Sequence, residues 1–135
     1  MPFIELDQEE LDKVKEPELV EEGEYNLIIG KVEEGPSKKN PERTVLSCII
    51  ENQDVPDAAP IFEYISMPAP GDKPETRKMM LLNLRRFCAV FNVPIEGGVN
   101  SEDFLGATGR CYVVQKERDD NGEMANNLKL PKLSV

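Results

Sequence analysis

The chain contains no histidine. Nucleophile–histidine catalysis therefore lacks its base, and a structural zinc site lacks one of its two usual ligand types. The other type is scarce. Three cysteines, Cys48, Cys88 and Cys111, form an odd set with no CxxC spacing, so neither a disulfide framework nor a zinc pair is indicated. They stand among apolar neighbours in SCII, RFCAVF and RCYVV and read as small core residues in a reducing compartment. No segment approaches the about 20 consecutive apolar residues of a membrane span. The start, MPFIELDQEELDK, has neither the basic opening nor the apolar stretch of a signal peptide. A soluble, cytoplasmic protein without membrane contact is expected. A GxxxxGK[ST] phosphate loop is also missing. The carboxylate pairs Asp54/Asp57, Glu102/Asp103 and Asp119/Asp120 stand beside turn residues without calcium-loop spacing. Nothing assembles a nucleophile, a base and an oxyanion donor, so the expectation is a non-enzyme with no metal or cofactor.

Acid is what the chain has in excess: 26 Asp and Glu against 16 Lys and Arg, a net charge of −10. The excess is uneven. Residues 5–24 hold ten acidic side chains and two lysines, whereas the rest of the chain holds sixteen acidic and fourteen basic ones. The low isoelectric point, about 4.5, thus describes the N-terminal stretch more than the body, and a near-neutral body can still present a local basic face. At 135 residues the chain suits one domain and buries roughly two-thirds of its unfolded surface without needing staples. The expected division is an acidic N-terminal arm, 1–22, and a folded domain, 23–135. Within the arm DQEELDKVKE suits a short helix, with Leu6, Leu11 and Val14 loosely on one side and Pro17 limiting it. A solvated charge run fits equally well.

The body reads as strands. In EYNLIIGKVEE, Tyr25, Leu27 and Ile29 alternate, Gly30 suggests a bulge, and Val32 then resumes the inward face. GPSKKNPE is a loop. RTVLSCIIEN is apolar on both faces and suits a central strand. PIFEYISM is a third strand, followed by the proline-rich PAPGDKPE. RKMMLLNLRRFCAVF has a clear helical period, with Met80, Leu84, Phe87, Cys88 and Phe91 on one face. Lys78, Leu82, Arg85 and Ala89 form the other side, with Arg86 beside them. Either Thr76 as N-cap or Pro74 in the first turn begins it, and Asn92 and Pro94 end it. A helical turn at Ser101–Leu105 precedes a strand over 107–118; DDNG then signals a hairpin into EMANNLKLPKLSV. The fold class is mainly β. Five strands with one helix between the third and fourth is the element order of an OB-fold, a small, partly open five-stranded barrel.

OB-folds that hold single-stranded nucleic acid combine a basic groove with aromatic rings on which bases stack. The strand 107–118 offers both on one face: Arg110, Tyr112, Lys116 and Arg118. The opposite register would bury Arg110 and Lys116, which is costly without partners. In the third strand two registers are open. Burying Ile61 and Ile65 exposes Phe62 and Tyr64 for stacking but buries Glu63; the reverse makes both aromatics core. Lys38, Lys39 and Arg43 occupy the loop between the first two strands, which in OB-folds commonly borders the ligand groove; a generic solubilising role fits these cations equally well. Lys129 and Lys132, on the last strand, would lie beside strand 107–118.

The run EGEYNLIIGKVEEGPSKKNPERTVLSCIIE, with Ser37, Lys38, Asn40 and Pro41 in its turn, resembles the opening of bacteriophage single-stranded DNA-binding proteins of a small OB-fold type. MLLNLRRFCAVFNVP is similar to the helix of that group, and DFLGATGRCYVVQKERDDNGEMANNLKLP to its closing hairpin. The resemblance spans roughly residues 23–133. It implies a protein that coats single-stranded DNA in phage replication or recombination, in the host cytoplasm. Many such proteins carry an acidic C-terminal tail that recruits replication partners. Here the acid is N-terminal, so the arm either contacts replication or recombination proteins or shields the groove. The alternative is an OB-fold interaction module, or an acidic DNA mimic acting on a host protein. Strand edges also leave room for pairing between copies as a homo-oligomer.

Overall fold

Five segments of alternating apolar residues become five antiparallel strands of one sheet. The structure, a computed structural model, describes residues 3–133. The elements are α1 (Gln8–Lys13), β1 (Gly23–Pro36), β2 (Thr44–Asn52), β3 (Ile61–Ser66), α2 (Pro74–Phe91), β4 (Thr108–Glu117) and β5 (Met124–Lys129), with a 3-10 turn at Ser101–Asp103 before β4. The sheet order is β3-β2-β1-β4-β5.

The long β1 organises this order. Its first part, Gly23–Ile28, pairs with β4, and Leu27–Pro36 pairs with β2. The register shifts between Ile29 and Lys31, at the expected bulge. One extra residue there keeps Leu27 and Ile29 buried, returns Val32 to the core and turns Lys31 outward. No ladder joins β3 to β5 among the described residues, so the sheet is open. Yet Cα atoms of the two strands come within 8 Å, and Glu63 on β3 lies near the Leu128 amide on β5.

α2 covers the inner face of the sheet. It starts at Pro74, with Lys73 rather than Thr76 in the cap position, because proline needs no partner for its missing N–H and presets φ. Asn92, in the left-handed region at φ 55°, ends it. Leu84, Phe87, Cys88 and Phe91 point inward, and Phe87 lies 4.9 Å from Phe91 and 6.0 Å from Phe104 between ring centroids. The loop entering α2 is held by Arg43, whose guanidinium donates to both Asp72 oxygens (2.6 and 2.9 Å) and to the Met67 carbonyl (3.1 Å).

The N-terminal segment is attached to the body from Glu18 onward. Glu18 forms a parallel bridge with Ala58, its amide donating to the Asp57 carbonyl and its carbonyl accepting from Ala59. Val20 is buried in the core. The buried Asn126 serves it as a backbone mimic: Asn126 Oδ1 accepts from the Val20 amide (2.9 Å) and Nδ2 donates to the Val20 carbonyl (3.0 Å). Gln115 Nε2 donates to the same carbonyl. Residues 3–17 are exposed throughout, and α1 is one short helix capped by Asp7. Among the described residues no helix is long and apolar enough to cross a membrane.

Candidate nucleic-acid interface

Steric fit and charge together set the register of β4. Gly109 lies against the end of α2, and Cys111 and Val113 follow it into the core. Arg110, Tyr112 and Lys116 consequently face outward. The strand is long and the sheet strongly curved, so this outward row divides into two neighbourhoods rather than one.

The first surrounds Tyr112, which is 44% exposed. Its cross-strand partners are Glu24 on β1 and Lys129 on β5. Arg110 is ion-paired with Glu24 at 3.2 Å, both side chains being about half exposed; such a pair is worth little in stability but balances the charge locally. Beside it Asn26 donates through its amide and side chain to Asp54, and these bonds hold the Asp54 carboxyl below the usual carboxylate range, with Arg110 a smaller contributor.

The second neighbourhood lies on the outer face of β1, β2 and β3. Of the two registers open for β3, the one realised buries Ile61 and Ile65 and leaves Phe62 and Tyr64 48% and 64% exposed. Cross-strand pairing builds two rows, Phe62–Ile49–Lys31 and Tyr64–Ser47–Glu33. Two adjoining hollows open here. One of about 430 Å³ lies between Tyr64, Ser47, Val45 and the β1–β2 connection with Lys38; another of about 210 Å³ lies between Phe62, Tyr64, Ile49 and Lys31. Arg118, from the β4–β5 turn, is close enough to Tyr64 to feel its phenol, although its main partner is Asp120 at 2.8 Å. Lys116 stands near Glu63. The groove is not uniformly basic: Glu33 and Glu34 share its rim, and Lys31 is paired with Glu33 at 3.2 Å.

The expected site residues are thus distributed. Phe62, Tyr64 and Lys38 gather around the β2–β3 face with Arg118 near Tyr64, Lys39 is exposed in the adjoining loop, and Lys116 stands near Glu63, on the other side of β3. Tyr112, Arg110 and Lys129 form the separate patch, with Lys132 exposed beyond the end of β5. Arg43 belongs to neither. Its side chain is only 14% exposed and is committed to Asp72, whose carboxyl it holds below the usual range. Lys31, Ser47 and Ile49 were not singled out from sequence, because cross-strand neighbours become visible only once the bulge and register are known. No family model matches the chain, and no curated protein matches it.

Glu63 is the cost of the β3 register. Burial pushes its carboxyl above the ordinary value of 4.5, against the opposing effects of the Leu128 amide and Lys116. Burial also pushes Cys48 and Cys88 up to about 11, and raises Cys111, so all three thiols are protonated at neutral pH. The sign for stability follows. A carboxyl raised in the folded state contributes stability that is full below about pH 4.5 and lost as pH rises through the folded value. Glu63→Gln removes the partly buried charge while keeping the side chain's size. It should raise Tm at pH 7, with the advantage vanishing as pH falls below about 4.5; an equal or lower Tm at pH 7 would contradict this account.

Proposed function

We propose that the protein is a non-catalytic single-stranded DNA-binding protein of the OB-fold type, with bases stacking on Phe62 and Tyr64 and phosphates meeting Lys31, Lys38, Lys39, Lys116 and Arg118. One observation carries the reading: two large aromatic rings stand side by side on the outward face of a strand, beside an open groove with cations at its edge. Leaving such rings in water forgoes about 25 cal/mol per Å² of apolar burial, and contiguous exposed apolar area marks binding surfaces. Aromatic rings accept any base, so the binding is sequence-tolerant. The barrel assignment is supported by the shared β1, the helix between β3 and β4, and the approach of β3 to β5 within 8 Å between Cα atoms. A role in phage replication or recombination rests on the resemblance of residues 23–133.

The deciding measurement is fluorescence anisotropy with labelled oligo-dT and with duplex DNA at several salt concentrations. Preferential binding of the single strand is expected. If these five cations all engage phosphates, the log–log salt slope is about −3.5. Equal affinity for both forms, or none for either, rejects the proposal. A second reading, an acidic interaction module acting on a host protein, draws on Glu33 and Glu34 at the groove rim and the net charge of −10; it predicts no oligonucleotide affinity at any salt.

A further inference from the structure

α2 has two unlike faces. Opposite the buried one lie Lys78, Leu82, Arg85 and Arg86, with Met79 beside them at 63% exposure. The only carboxylate of the helix, Glu75, is in its first turn. Among the described residues none of these three cations is ion-paired, and Arg86 Nε is buried without a hydrogen-bond partner. The face is therefore an apolar strip rimmed by unneutralised cations, with Leu82 and Arg86 partly exposed and Lys78, Met79 and Arg85 fully so.

The N-terminal segment has the complementary character. Residues 3–16 carry six carboxylates and two lysines, interleaved with Phe3, Ile4, Leu6, Leu11 and Val14, which are all exposed, Phe3 at 91% and Ile4 at 75%. Among the described residues the chain's hydrogen bonds to the body begin only at Glu18, and residues 3–17 are exposed, so both surfaces stay uncovered. The groove on the β2–β3 face is a poorer seat for it, because Glu33 and Glu34 line that rim.

We propose that residues 3–14 of one copy dock on the outward face of α2 in a second copy. The apolar side chains would cover Met79 and Leu82 while the carboxylates meet Lys78, Arg85 and Arg86. Opposite charges steer such an encounter and set its register. The contact is head to tail, since segment and helix are different surfaces, and head-to-tail contacts propagate into rows unless the rotation closes a ring. The inference goes beyond nucleic-acid binding and does not depend on it; on a single strand, the same contact would align neighbouring copies and make coating cooperative.

The test uses full-length protein without nucleic acid, followed by sedimentation velocity. A segment variant (Ile4→Ser, Leu6→Ser, Leu11→Ser) lacks the docking side chains; a helix variant (Lys78→Glu, Arg85→Glu) lacks the cations. All five positions are exposed, so an unchanged Tm verifies the fold. Wild-type protein should associate with rising concentration and revert to single chains near ~0.5 M salt, where screening is strong. Each variant alone should remain a single chain. An equimolar mixture should form a complex that stops at two chains, because one variant retains an intact helix face and the other an intact segment. A wild-type protein that stays single at every concentration, variants that still self-associate, or a mixture that does not associate would each overturn the proposal.

Discussion

Gly109→Ala should cost at least about 3 kcal/mol of stability, the upper end of overpacking losses, and lower Tm by roughly 10 °C in a chain of this size. The reason is proximity rather than backbone freedom. A Cβ at this position would stand 2.2 Å from the Val90 carbonyl oxygen and 2.9 Å from its carbon. Both are backbone atoms of the last turn of α2, so no side-chain rotation relieves the clash; the helix end or the strand must move. That turn carries Phe91, packed against Phe87, which in turn stacks on Phe104. Displacing it opens the core instead of the surface. Gly35→Ala is the control, since a Cβ there meets nothing within 4 Å, and its Tm should hardly change. A loss below about 1 kcal/mol for Gly109→Ala, measured by denaturant titration, would mean that α2 does not pack against β4 at this point.

The pair Phe62→Ala and Tyr64→Ala should weaken single-strand binding at least about 30-fold, since each stacked base is worth ~1–3 kcal/mol. Stability should change by no more than about 0.5 kcal/mol, as expected for exposed positions. This combination separates an interface from a core: a core aromatic replaced by alanine loses 3–5 kcal/mol. Tyr112→Ala should have a smaller effect on affinity, because Glu24 neutralises Arg110 beside it. If Tyr112→Ala abolishes binding while the β3 pair does not, the interface lies on the β4–β5 patch instead.

Much of the fold was legible. The 3.6-residue period of α2, the alternation in β1 and β4, the bulge at Gly30 and the turn before β5 each follow from local rules, and the structure has them. The N-terminal boundary was less so. Val20 sits in an acidic run, and its partner Asn126 is 106 residues away; nothing local marks that pairing. Arg43 likewise read as a loop cation, because its partner Asp72 lies 29 residues further on.

By itself the sequence determined which residues could share a face: Arg110 with Tyr112 and Lys116, Phe62 with Tyr64, Leu84 with Phe87 and Cys88. Periodicity is a property of consecutive backbone units, so it needs no tertiary contact. What only the tertiary structure decided was which face of β3 turns inward, and which outward residues meet. Alternation along β3 offers either buried aromatics or a buried Glu63, and local propensity does not separate them. The register realised buries Ile61 and Ile65 in the core, and the partial desolvation of Glu63 is its cost. Sheet curvature then divides the β4 face and brings Lys116 near Glu63 and Arg118 near Tyr64, across a gap that no run of adjacent residues spans.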